Sequence, residues 1–283
     1  MKLGLITCSK HPDFHPEDVL LARELSKLGL TALPVNWEEP FLPNEDLAAL
    51  VVRTPWNYHR HLAEFLSWLE VAQAQLPMWN SLEVIRWNCH KRYLAQLADR
   101  GLPVVPTRVF EPGQKLEGAE LMAWAAGRPL VAKPAVSAGA FKTARYPRWS
   151  EEVLAHLEDL LVSEPAMLQP YYARIETEGE KSLIFFDGVY SHAVRRHLPL
   201  VEGPEVDYLM NLVQPSSQEL ATAHEIFDGL PFDDLLYARV DLIPDPQGRP
   251  VLLEIELIEP QLFLREYPSG AEALARACKA KLG

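Results

Sequence analysis

Short apolar runs alternate with stretches of helical period through the first third of the chain. Leu3–Cys8 reads as a strand, and Pro16–Leu28 as a helix that opens on proline and stops before Gly29. Thr31–Val35 and Leu50–Arg53 read as further strands, and His61–Leu76 as a helix rich in Leu, Phe and Trp. This alternation predicts a small parallel α/β layer whose ligand site lies at the carboxyl ends of the strands. The middle third changes character. Asn88–Arg100 has helical period and runs into Gly101-Leu102-Pro103 as a stop. Val104–Phe110 and Leu130–Lys133 read as strands, and Ser150–Val162 as a helix capped by Ser150, with Glu151 and Glu152 in its first turn. The last third predicts antiparallel pairing. Lys181–Phe186 and Val189–Arg195 flank Asp187-Gly188, a strong hairpin signal. Tyr237–Ile243 returns as Val251–Glu256 through a six-residue turn, and Gly270–Leu282 reads as a closing helix. The fold class expected is α/β plus α+β in three lobes.

The second hairpin carries the most chemistry. With its turn centred between Gln247 and Gly248, Asp241 faces Glu254 and Arg239 faces Glu256, all four on one side of the sheet. The other side then carries Val240, Leu242, Leu253 and Ile255 as a core face. Directly opposed carboxylates destabilise a sheet unless positive charge lies between them. A hard divalent cation, Mg²⁺ or Mn²⁺, suits an all-oxygen donor set; a solvated acidic face is the alternative. Two lysines extend the pattern. Lys133 ends the buried-looking strand Leu130-Val131-Ala132-Lys133-Pro134, where a charge without a partner is costly. Lys91 is expected in the first turn of a helix, where the macrodipole disfavours a cation. Either placement fits a nearby polyphosphate, whereas each lysine alone could be a surface residue with its stem buried. The small-residue loop Ser137-Ala138-Gly139 would let backbone N–H groups approach phosphate oxygens.

Composition narrows the classes. The 283 residues are 48% hydrophobic and 23% charged, as in a globular enzyme. Lys+Arg 27 against Asp+Glu 39 leaves −12, which argues against a nucleic-acid partner but not against a small anion in a locally positive pocket. No apolar run approaches the roughly 20 residues that span a bilayer, so no membrane partner is expected. Met1–Thr7 reads as a strand and not as a signal peptide, and Cys8, Cys89 and Cys278 are far apart, so a reducing cytoplasm is the expected compartment. The nine histidines show no metal-ligand spacing, the seven tryptophans read as core, and neither a GxxxxGK[ST] nor a GxGxxG loop is present.

Taken in order, these stretches resemble the ATP-grasp superfamily: Trp87-Asn88-Cys89-His90-Lys91, Val131-Ala132-Lys133-Pro134, Ser137-Ala138-Gly139, Leu168-Gln169-Pro170-Tyr171, Gly179-Glu180-Lys181-Ser182, Arg239-Val240-Asp241 and Leu253-Glu254-Ile255-Glu256. Within it the chain looks closest to glutathione synthetase-like ligases. Arg53-Thr54-Pro55-Trp56-Asn57-Tyr58 and Glu254-Ile255-Glu256-Leu257-Ile258-Glu259-Pro260 also look like the bacterial subfamily containing the cyclo-ligase that makes cycloserine from O-ureido-serine. The resemblance implies an N-terminal α/β domain over about residues 1–85, a first ATP-grasp part over about 86–170 with a lid over about 104–167, and an antiparallel C-terminal part over about 171–283. It implies ATP and Mg²⁺ (or Mn²⁺) as cofactors, a small carboxylate and an amine-type nucleophile as substrates, and a dimer or tetramer.

By the same resemblance Lys91, Lys133, Ser137 and Gly139 would hold phosphates, and Gln169, Pro170 and Tyr171 the adenine. Asp241, Glu254 and Glu256 would hold the metal, and Arg239 would stabilise an acyl phosphate. Arg53, Trp56, Asn57 and Glu259 would face the substrate. In the first hairpin a two-residue turn sets Glu180 opposite Arg195 and turns Arg196 to the other face. Glu180 then reads as a cofactor contact or as the ion-pair partner of Arg195, and Arg195 as a substrate or γ-phosphate contact. The chain departs from the family pattern twice, in a glycine-poor lid loop and in Glu256 where Asn is usual. An ATP-binding regulatory module without turnover and a metabolite-binding α/β protein are the competing classes; Arg239 kept together with three carboxylates favours turnover.

Overall fold

In a computed structural model, which describes residues 1–42, 46–137, 142–197 and 209–283, the chain forms three sheets. The first holds β1 (Lys2–Thr7), β2 (Thr31–Asn36), β3 (Leu47–Thr54) and β4 (Met78–Trp79), all parallel in the order β2-β1-β3-β4. The run Leu47–Val52 is apolar throughout because both faces of β3 are covered, as in parallel sheets generally. Helix Leu62–Gln73 lies over one face; helices Pro16–Lys27 and Pro268–Lys281 pack together over the other.

The second sheet holds β5 (Arg108–Phe110), β6 (Leu130–Pro134), β7 (Ala144–Tyr146) and β8 (Ala166–Pro170), antiparallel in the order β5-β8-β6-β7. Its own core is closed by helices Gly118–Ala125 and Glu151–Leu160. The third holds β9 (Glu180–Phe186), β10 (Val189–His197), β11 (Leu209–Val213), β12 (Tyr237–Pro244) and β13 (Pro250–Glu256) in the order β11-β10-β9-β12-β13. One of its faces packs on helices Leu82–Asn88, Tyr93–Asp99 and Ser217–Asp228, while residues of β9, β10 and β12 also enter the core beneath the parallel sheet. Among the described residues, no helix is long and apolar enough to cross a membrane.

Several expectations shift. The helical stretch expected over Asn88–Arg100 is two short helices, Leu82–Asn88 and Tyr93–Asp99, so Lys91 lies in the turn between them and not in a first helical turn. The break has a cause in tertiary structure: the buried Asn88 amide donates to Ile255 O (2.8 Å) and accepts from Leu257 N (2.8 Å), and Lys91 N donates to Ala135 O (2.8 Å). The strand over Val104–Phe110 shrinks to β5, Val104 making only an isolated bridge to Leu252. Ser150 occupies the N-cap position without a side-chain capping bond. Helix Ser217–Asp228 was not expected, although Ser216 and Glu219 form a capping box whose S-x-x-E signature precedes an apolar run.

Candidate active site

β12 and β13 pair Arg239 with Glu256, Val240 with Ile255 and Asp241 with Glu254, which is the register the sequence implies; beyond Asp241 it slips by one, Leu242 facing Leu252. Leu253 is therefore a bulge residue that lines the cavity, and Leu252 takes the core position expected of it. The first hairpin carries a second bulge. Phe186 faces Val189, but the register shifts between Tyr190 and His192, so Glu180 faces Arg196 and Lys181 faces Arg195. One extra residue in a strand exchanges its faces. Arg196, not Arg195, is thereby turned into the site, and Arg195 does not line it.

These strands floor a cavity of ≈ 610 Å³ roofed by the second sheet. Lys91, Lys133, Ser137, Gln169, Pro170, Tyr171, Glu180, Arg239, Asp241, Glu254, Glu256, Trp56 and Glu259 all border it. Gly139 lies outside the described residues. Two expected contacts lie elsewhere. Arg53 is 1% exposed inside the protein: its Nε donates to Asp18 Oδ1 (2.8 Å), and its guanidinium lies 3.7 Å from Glu17 Oε2. Asn57 accepts from Trp37 Nε1 at 2.9 Å and does not reach the cavity.

The charges of the cavity form a chain of pairs. Arg239 donates to Asp241 (2.9 and 3.0 Å) and to Glu256; Arg196 donates to Asp241 (3.1 Å) and to Glu180. Lys91 Nζ meets Glu254 Oε1 at 2.8 Å and donates to Ser137 O at 3.0 Å, tying the loop after β6 to β13. Lys133 has no ion-pair partner among the described residues, and burial lowers its pKa against the pull of Glu254.

Six carboxylates border the cavity against four cations, and the titration behaviour reflects this excess. Burial raises Asp241, but Arg239 and Arg196 outweigh it and hold the group below its ordinary value. Burial likewise opposes Lys91 and Lys133 at Glu254, and the lysines prevail. Glu256 is pushed up to about 7 by burial, with Arg239 opposing and Asp241 and Glu254 adding to the rise. Glu180 is also pushed up to about 7, again by burial first. Glu259 goes to about 8 through burial and the nearby Glu256, with the Tyr58 hydroxyl and Lys91 opposing the rise.

No group of three His, Cys, Asp or Glu side chains among the described residues converges as a metal cage, because Asp241, Glu254 and Glu256 are each turned to a protein cation. The donor set nevertheless fits a hard divalent ion: it is all oxygen and shares one sheet face.

Asn80, Tyr237 and Glu17, none of them expected at the site, hold it together with Arg53 and Trp56. Beyond β13 the backbone of Leu257–Leu264 is gripped by side chains from elsewhere. Asn80 donates to Leu257 O, Tyr237 to Ile258 O, Trp56 to Glu259 O and Arg53 to Pro260 O, while Glu17 accepts from Leu262 N and Leu264 N. Only the charged pair Glu17-Asp18 just inside a helix start offered a sequence signal for this.

The family model for the N-terminal domain of D-cycloserine synthetase DcsG matches residues 3–80. The cycloserine biosynthesis protein DcsG of Streptomyces lavendulae is 33% identical over 273 residues, 90% of each chain. The crystal structure of D-cycloserine synthetase DcsG superposes with a TM-score of 0.89 at 31% identity over the whole of both chains. That of the ATP-grasp ligase PsnB with minimal precursor, Mg and ADP gives 0.67 at 15% identity over 99% of this chain and 98% of that one, a likeness of fold.

Proposed function

The chain belongs to the DcsG family of ATP-grasp carboxylate–amine ligases, and from that premise we propose that it uses ATP to convert a small carboxylate into an acyl phosphate, which a nitrogen of the same molecule attacks to close a ring. O-ureido-serine, the substrate of the cyclo-ligase the sequence resembles, is the compound that fits this reading. The carboxylate oxygen attacks the γ-phosphorus and ADP leaves; the nitrogen then attacks the acyl carbon and phosphate leaves. The supporting observation is the one cavity in which Lys133, without an acid, and the Lys91–Glu254 pair border the carboxylate ladder of β12 and β13.

Lys91 and Lys133 take the nucleotide phosphates as charge-assisted donors, with Ser137 beside them on the cavity wall. Gln169, Pro170 and Tyr171, where β8 ends, hold the adenine. Asp241, Glu254 and Glu256 would hold Mg²⁺, and Mn²⁺ would use the same oxygens. When bound, the metal neutralises charge on the transferring phosphoryl group. Arg239 and Arg196 stabilise the anionic acyl phosphate and the tetrahedral intermediate that follows, and Glu180 orients Arg196. Catalysis of this kind is positioning plus charge stabilisation, which suits arginines already fixed by buried acids. Assembly as a dimer or tetramer belongs to the same reading.

The test is substrate-stimulated release of ADP and phosphate. Glu254→Gln should abolish it while circular dichroism stays unchanged. Undiminished activity in that variant contradicts the metal assignment, and AMP with pyrophosphate as products removes the acyl phosphate.

A further inference from the structure

Each acid bordering the cavity can be matched to a cation of the protein, with one exception. Glu176 pairs with Arg145, Glu180 with Arg196, Asp241 with Arg239 and Arg196, Glu254 with Lys91, and Glu256 with Arg239. Glu259 lines the cavity and has no ion-pair partner among the described residues. A carboxylate takes four or so hydrogen bonds, so this one keeps capacity for a donor entering the cavity it borders.

Its mounting is rigid. Trp56 Nε1 donates to Glu259 O at 3.0 Å, and the next carbonyl, Pro260 O, accepts from Arg53 at 3.4 Å. Arg53 is itself locked to Asp18, so the side chain of Glu259 projects from a backbone fixed on both peptide units. A preorganised acid on a cavity wall, short of one positive charge, is a receptor for a cation small enough to share the cavity with a nucleotide. Lys133 is the converse, a cation at the same cavity without an acid.

We propose that Glu259 is the specificity-determining residue that receives the free α-amino group of the substrate, so that the enzyme selects small amino acids over the corresponding carboxylic acids. This rests on the ligase reading above and names its substrate class: a zwitterion whose ammonium meets Glu259 while its carboxylate faces the arginines. Trp56 fixes the backbone of Glu259 as a positioning residue.

The experiment compares O-ureido-serine with its des-amino analogue, 3-(ureidooxy)propionic acid, in wild type and in Glu259→Gln, which keeps the shape of the side chain. Wild type should prefer the amino compound by about 10- to 100-fold in kcat/KM, the worth of a charge-assisted hydrogen bond. In the variant that ratio should fall toward one, most of the loss lying in KM. An equal fall for both compounds, a shifted half-saturation for Mg²⁺, or an unchanged ratio overturns the proposal. Equilibrium binding of the two compounds to the Mg–ADP complex separates the two readings. If wild type releases no ADP with either compound, the ligase reading fails, yet a binding preference for the amino compound that Glu259→Gln erases still upholds the amine receptor, and equal binding by wild type sinks it.

Discussion

Replacing Arg53 decides between a substrate contact and an internal clamp. Arg53, Glu17 and Asp18 are each 1% exposed, and the guanidinium also reaches Pro260 O. Arg53→Met keeps the approximate volume but strands two buried carboxylates, a change that costs about 3–5 kcal/mol in comparable sites. Against a total stability of about 5–15 kcal/mol, that is about a fifth or more of the folding free energy. With a urea m-value of about 3 kcal/mol/M, the midpoint should fall by about 1–1.7 M. The deficit should depend on pH in a definite sense. Burial raises Glu17 above its ordinary value even with Arg53 opposing, so losing Arg53 raises it further. Between the unfolded and folded pKa values the native state binds the extra proton, and its stability falls as pH rises. The variant should thus be closer to wild type at pH 5 than at pH 8. Arg53→Met with Asp18→Asn should recover part of the loss, because removing both partners leaves less charge stranded. Urea titrations monitored by circular dichroism measure all of this. An unchanged midpoint with a raised substrate KM would refute the clamp and return Arg53 to the substrate.

The β-bulge at Ser191 predicts an asymmetry between neighbours: Arg196→Ala should cut ADP release by about 100-fold, and Arg195→Ala by little. The reverse order in a coupled ADP assay would restore the unbulged register. Lys133→Ala should weaken ADP binding by about 10-fold or more in calorimetry without lowering the melting temperature, since it removes a desolvated cation that pairs with no acid; unchanged affinity takes Lys133 out of the site. Glu180 and Glu256 at about 7 and Glu259 at about 8 take up protons in the folded state before unfolded carboxyls do. The ligand-free protein should therefore gain stability as pH falls from about 8 to 6.5. Below that, His15 and His192, lowered to about 4 by burial, oppose the trend. Differential scanning calorimetry across that range checks the sign, and a loss of stability there contradicts it.

The sequence by itself determined what local chemistry controls. The proline start and glycine stop of helix Pro16–Lys27, the apolar run of β3 and the Asp187-Gly188 turn each specify an element through their own residues. The pairing of Asp241 with Glu254 and Arg239 with Glu256 was legible as well, because a hairpin of alternating residues has one face for its charges. Tertiary structure alone decided which way several of those charges point. A single bulge residue exchanges the faces of a strand, so it gave the cavity Arg196 in place of Arg195 and Leu253 in place of a core position. Packing settled Arg53 as well. A strand-end arginine looks the same whether it meets solvent, a ligand or two acids from a helix start, and only the approach of Pro16–Lys27 closed the choice. The grip on Leu257–Leu264 is likewise set by groups distant in sequence: backbone donors and acceptors past the last ladder bond need partners, and no local pattern says where those come from.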